Sequence, residues 1–395
     1  MVEIATVATF GVAAVASLFM AWSIGAGSSG STPFAPAVGA NAISVMRAGF
    51  FVGLLGFSGA VLQGANVSEA VGRELVRNVS LSPVAATIAL TIAAVLVATG
   101  VFAGYPIATA FTVTGAVIGV GFAMGGDPAW AKYQEIAALW IATPFVGGGI
   151  AYLIARGLRD EPVPESYVVV LLAALVGVLF ANIEFAALGP AGEGASIAVA
   201  ATDYLPLSRA AAVALATAAV ALAWAIPVGI AMRNDPERAQ RRFLLAMGAL
   251  VAFSAGGSQV GLAIGPLLPL SDDVGLPLVA LLVGGGVGLL LGSWTGAPRM
   301  IKAVSQDYSS LGPRRSIAAL IPSFAIAQMA VLFGIPVSFN EIIVSAIIGS
   351  GYAATGAGGG VSGRKMGYTV LAWVLSLAGS VVVSYLGYVA VTWLL

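Results

Sequence analysis

The chain has 395 residues, of which 59% are hydrophobic and only 9% charged, and its 17 basic and 17 acidic side chains cancel. A soluble domain carries about a quarter charged residues, so a water-soluble globule is excluded. Cysteine and histidine are both absent, which removes disulfides, thiolate metal sites, haem ligation by histidine and every Ser/His or Cys/His nucleophilic pair.

No HExxH or GxxxxGK[ST] string is present either. Neither a metal site, a cofactor nor enzymatic chemistry is therefore expected, and the balanced charge offers nothing to nucleic acid. Apolar runs long enough to cross a ~30 Å hydrocarbon core follow one another from end to end. In chain order they cover 2–24, 42–65, 83–103, 136–156, 166–186, 208–231, 243–264, 276–293, 315–333 and 367–393. The first has no basic residue before it and no polar break after a short apolar core, so it is read as a retained helix, not a cleaved signal peptide. Shorter apolar pieces, interrupted by Gly and Pro, lie near 27–40, 105–125, 257–270 and 335–352. The expected class is an all-α polytopic membrane protein of about 10–12 membrane segments lying in the lipid bilayer.

Basic residues gather in RNDPERAQRR (233–242), from Arg299 to Arg315, at Arg156 and Arg159, and at Arg364 and Lys365. The positive-inside bias makes these connections cytoplasmic, which predicts a multi-pass protein of the cell membrane with both termini outside. Trp22, Trp130, Trp140, Trp294, Trp373 and Trp393 suit an interfacial aromatic belt. Arg47, near the start of the second span, is read as snorkelling to the interface. The GGG run at 284–286 with Gly288 favours close helix contact, within the protomer or across a dimer.

The chain repeats itself. GAGSSGSTPFAPAVG (25–39) has a partner in GGSQVGLAIGPL (256–267), and GYPIATAFTVTGAVIG (104–119) aligns without a gap on GIPVSFNEIIVSAIIG (334–349). The basic loop at 233–242 gives the second half the opposite orientation, which predicts two inverted repeats: 1–157, then linking spans and a cytoplasmic loop at 158–242, then 243–395. Backbone amides in hydrocarbon must be bonded, so helix breakers are tolerated only where they are buried in protein or line a wet cavity. Half-helix N-termini carry about half a positive charge and bind anions. Four such breaks around one small anion, with hydroxyls from Ser28, Ser29, Ser31, Thr32, Thr109 and Ser338, are expected to form a site between the halves. The same Gly and Ser residues also suit plain close packing of helices.

These strings resemble the inorganic phosphate transporter (PiT) family, with its repeated GANDVANAxG and PVSTTH signatures. AFSAGGSQVGLAIGPL (252–267) is similar to the family's AFAHGANDVANAIGPL, and GIPVSFNEIIVSAIIG to GIPVSTTHTIVGAIMG; GAVLQGANVSEAV (59–71) and TVLAWVLSL (369–377) also match. The signature Asn-Asp reads Gly27-Ser28 in the first half and Ser258-Gln259 in the second, and the His of PVSTTH reads Phe111 and Glu341. The resemblance implies a transporter in which Asp at those positions serves phosphate and sodium. Here both acids are gone. Phosphate near neutral pH keeps a P–O–H proton that a carboxylate accepts, whereas sulfate has none. A like charge ~4 Å away costs on the order of 4 kcal/mol at an effective dielectric near 20. An acid-free wall therefore points to sulfate, as in the family's sulfate-permease branch, with phosphate as the alternative substrate and a passive anion channel as the alternative mechanism. Ser258, Gln259 and Asn340 join Ser338 as the second half's expected ligands.

Loss of both acids also removes hard-cation ligands, which favours proton over sodium coupling. Glu341 and Glu184, acidic residues in otherwise apolar stretches, are the candidate carriers. The resemblance further implies a homodimer.

Overall fold

The structure is a computed structural model and describes residues 4–159, 164–189, 194–353 and 361–394. Hydrocarbon offers backbone amides no partner, so each long apolar run closes its own hydrogen bonds as a helix. Helices α1 (Ile4–Gly27), α2 (Ala35–Gly39), α3 (Val45–Gln63), α4 (Ala65–Glu69), α5 (Pro83–Ala103), α6 (Thr109–Ala123) and α7 (Trp130–Gly157) come first. Then follow α8 (Glu165–Asn182), α9 (Ile197–Ala200), α10 (Arg209–Asn234), α11 (Pro236–Ile264) and α12 (Leu268–Val274). The last five are α13 (Leu278–Thr295), α14 (Ala297–Asp307), α15 (Pro313–Leu332), α16 (Phe339–Tyr352) and α17 (Gly363–Leu394). Among the described residues ten helical segments are long and apolar enough to span a membrane, and they coincide with the ten expected runs.

Local chemistry sets several boundaries. The Ser82, Ser208 and Asp235 side chains accept from the amides of Ala85, Ala211 and Arg238 and so cap α5, α10 and α11. Gly104 and Gly334, which open the two aligned strings, take φ of +73° and +59°. That left-handed conformation ends α5 and turns the chain out of α15, and a side chain there would be strained. The longest helix not anticipated is α14, at the start of the basic stretch expected only as a connection, which buries Ala297, Met300, Ile301 and Val304 along one face.

The repeats are interleaved. α1 packs against α5 and crosses to α13, while α11 packs against α15 and crosses to α3; α7 lies on α16, and α17 on α6. Each half thus completes its packing with helices of the other, and α8 and α10 pair chiefly with each other. Lipid tails are as apolar as leucine, so small residues that let backbones approach hold these crossings together. A β-carbon on Gly25 would collide with the carbonyl of Leu289 in α13, and one on Gly256, its counterpart, with the carbonyl of Gly56 in α3. The Gly284–Gly288 stripe is packed within the protomer at three points: Gly285 against Ile264, Gly286 against Phe57 and Gly288 against Ala21. One buried cluster gathers Met247, Phe324 and Phe339 around α11, α15 and α16. A second gathers Met20, Leu90 and Leu262 around α1, α5 and the end of α11.

Candidate functional site

Three of the four expected interruptions lie where the strings place them: residues 28–34 after α1, 104–108 before α6 and 333–338 before α16. The fourth lies elsewhere. α11 runs unbroken through Gly256, Ser258 and Gln259 to Ile264, and only Gly265–Leu267 loosens into a tighter turn before α12. Gly256 and Gly257 sit tightly against α3, and a glycine pair clamped in a helix crossing has no reason to unwind; the turn forms instead at Gly265-Pro266, where proline removes a backbone donor.

Helix polarity corrects a second expectation. The chain enters the first signature at the end of α1, so that element presents carbonyls, the negative end, to the junction. A helix begins after each break, α2, α6, α12 or α16, and of these α6 and α16 carry Thr109 and Asn340 in their first turns. Their first turns leave the amides of Thr109, Ala110 and Phe111, and of Phe339, Asn340 and Glu341, without an intrahelical carbonyl. The positive ends of α6 and α16 thus adjoin residues from both halves.

Around them a knot of uncharged groups closes. Gln259 Oε1 accepts from Ser28 Oγ at 3.2 Å and from Thr109 Oγ1 at 2.7 Å, while Gln259 Nε2 donates to the carbonyl of Val337 at 2.6 Å. Asn340 Nδ2 bridges the carbonyls of Gly27 and Ile107 at 2.9 and 2.7 Å. Ile107 and Val337 hold equivalent places in the aligned strings, so each break has its carbonyl held by an amide. Ser28, Thr109, Gln259 and Asn340, all fully buried, are thereby joined across both repeats. Ser338 Oγ and Asn340 Oδ1 are buried beside them without a hydrogen-bond partner.

The remaining candidates divide. Ser31 and Thr32 turn their hydroxyls to the carbonyl of Ser28, and Ser258 turns its own to Ala255; Ser29 is buried in the same turn. Glu341 is 3% exposed, with Oε2 unpartnered. It lines a crevice between α7, α16 and α17 that Phe111, its counterpart, also lines. Glu184 lies in a two-residue ladder after α8 with its side chain exposed; its backbone carbonyl accepts from Gln63 Nε2. It is a surface residue away from the knot.

Two tryptophans assigned to the interfacial belt do other work. Trp140 Nε1 donates to the carbonyl of Pro336 at 2.8 Å, and Trp373 Nε1 to that of Pro106 at 2.7 Å. These prolines are equivalent, so a helix of each half latches the break of the other. The latch is reciprocal because proline leaves each break rich in free carbonyls, and a buried indole N–H needs one. A second set that sequence reasoning missed is the amide pair Gln63–Gln328, bonded at 3.0 Å through Gln328 Nε2, which also donates to Ser254 Oγ at 2.6 Å. Glutamine inside two otherwise apolar spans was the available signal. Among the described residues no three Asp, Glu, His or Cys residues group as metal ligands.

The knot's unpaired groups are the backbone amides of two helix N-termini and the Ser338 hydroxyl, which can donate, together with Asn340 Oδ1, which can only accept. Known proteins are similar to this chain over most of its length. A solved structure, "The sodium-dependent phosphate transporter", superposes with a TM-score of 0.82 over 98% of this chain and 100% of its own, at 21% identity; at that identity the likeness establishes the fold. A candidate phosphate permease of Thermococcus kodakarensis is 25% identical, with 85% of this chain and 86% of the relative covered. The chloroplastic inorganic phosphate transporter 2-1 of Arabidopsis thaliana is 24% identical over 85% of this chain and 64% of its own length. The model of the phosphate transporter family matches residues 6–384, a span that takes in every break, both latches and the Gln259 knot, and the chain therefore belongs to the phosphate transporter family.

Proposed function

We propose that the protein is a secondary transporter of inorganic phosphate, with the anion bound where the two repeats meet. The observation that carries this reading is the convergence of Ser28, Thr109, Gln259 and Asn340, drawn from both halves, on one buried knot. These groups hydrogen-bond to one another and to backbone carbonyls of the breaks. An arriving oxyanion exchanges those internal bonds for bonds to its own oxygens, with the free amides of α6 and α16 supplying positive potential. The halves 1–157 and 243–395 then rock about 158–242 to expose the site to either side. Membership of the family and the names of the relatives favour phosphate. Glu341, one residue from Asn340, is the group we assign to proton coupling; sodium, named for the solved neighbour, is the competing ion. Both termini lie outside in this scheme, supported by the basic connections at 233–242 and 299–315.

Sulfate is the second reading, favoured by one feature: among the described residues no carboxylate is hydrogen-bonded to any knot residue. Proteoliposomes decide between them. Labelled phosphate uptake should be competed by phosphate more strongly than by sulfate, and the reverse order assigns sulfate. An inward proton gradient should drive uptake and Glu341→Gln should abolish that drive; dependence on a sodium gradient alone assigns sodium. Flux that neither gradient can concentrate identifies a passive channel.

A further inference from the structure

The crevice beside Glu341 has a chemistry unlike the knot. It encloses about 640 Å³, within the range that holds a drug-sized ligand. Its lining is almost wholly apolar, with the rings of Phe111, Trp140, Trp373, Tyr152 and Tyr352 among the contributors. Among the described residues the lining contains one carboxylate, Glu341, and no lysine or arginine. That carboxylate is 3% exposed and keeps Oε2 without a partner. Phe111 stacks on Trp140 with ring centroids 3.9 Å apart, and both indole N–H groups are held by proline carbonyls, so the aromatic wall is rigid.

A phosphate ion finds little here, since no lysine or arginine is among the described lining residues, the one ionisable acid there is Glu341, and donors are few. The wall suits instead a body of hydrocarbon carrying one positive charge. Apolar substituents gain from burial, and an ammonium gains both a carboxylate partner and the quadrupoles of nearby rings. We propose that this crevice is a binding site for amphiphilic organic ammonium ions, in which Glu341 pairs with the charged nitrogen and the surrounding aromatic rings receive its apolar groups. The site is separate from the knot and stands whether or not Glu341 carries protons during transport.

The test is calorimetric and needs no transport. The protein in phosphatidylcholine nanodiscs is titrated with N,N-dimethyl-3-phenylpropylamine and, separately, with 3-phenyl-1-propanol, which keeps the body and lacks the charge; empty nanodiscs supply the membrane partition signal. Saturable binding of the amine is expected, tighter than that of the alcohol by at least about tenfold. Glu341→Gln should bring the amine down to the alcohol's affinity, and Glu341→Asp, which keeps the charge, should retain most of the difference. Equal binding of amine and alcohol overturns the proposal and marks a crevice for apolar chains such as lipid tails. Undiminished amine binding by Glu341→Gln, or heats equal to those of empty discs, overturns it too. Should Glu341→Gln fail to fold, the comparison of amine with alcohol on the unaltered protein still decides.

Discussion

Replacing Gln259 by leucine keeps the side chain's bulk and removes three hydrogen bonds: those received from Ser28 Oγ and Thr109 Oγ1 and the one given to the carbonyl of Val337. The hydroxyls of Ser28 and Thr109 can rotate toward backbone carbonyls of their own segments, so together they lose about 1 kcal/mol. The carbonyl of Val337 cannot turn, because Val337 is fully buried. Left unpaired, it costs about 1–3 kcal/mol. The expected destabilisation is therefore about 2–4 kcal/mol, read as a lowered melting midpoint of detergent-solubilised protein and accompanied by loss of phosphate uptake. A double-mutant cycle sharpens the test. Thr109→Val alone should cost about 1 kcal/mol, yet in the Gln259→Leu background it should cost almost nothing, since its partner is already gone. Additive effects of the two substitutions, or a Gln259→Leu variant with unaltered stability and uptake, would refute the account of the knot.

Three further outcomes follow from the same geometry. Trp373→Phe and Trp140→Phe each strip the donor from a proline carbonyl at the breaks; each should cost about 1–3 kcal/mol in thermal stability and slow uptake, and wild-type behaviour in both would dismiss the latch. Gly256→Ala must drive a methyl into the Gly56 carbonyl and should destabilise by about 1–3 kcal/mol or more, whereas Gly284→Ala, with nothing within 4 Å, should be neutral or slightly stabilising; parity of the two melting curves would sink the crossing argument. Tyr308 lies in the connection after α14, is 1% exposed and shares a 2.7 Å hydrogen bond with Thr369. Burial pushes its phenol well above the ordinary tyrosine value. The unfolded chain therefore ionises first: the stabilisation is complete below about pH 10 and fades as pH rises beyond it. Denaturation followed from pH 9 to 11 should show a steeper alkaline decline for the wild type than for Tyr308→Phe, and equal slopes would count against it.

Much of this was readable in the sequence by itself. Length and apolarity of the runs dictated ten spans, because hydrocarbon leaves a backbone no alternative to the helix. The two pairs of aligned strings located three of the four breaks, two of which open on Gly104 and Gly334, where the chain takes a left-handed turn. Ser28, Thr109, Gln259 and Asn340 were nameable from those strings too. Which of the neighbouring hydroxyls would face the junction was not, and Ser31, Thr32 and Ser258 prove to bond their own backbone. Only the tertiary structure decided that α11 continues past Gly256, that Trp140 and Trp373 latch opposite breaks, and that each half packs crosswise on the other. The reason is physical. In a soluble helix the polar face reports which side meets water, but lipid and protein interior are equally apolar, so the rotation and partner of a membrane helix leave little trace in its hydropathy. They are settled by where small residues let two backbones touch, and that depends on both helices at once.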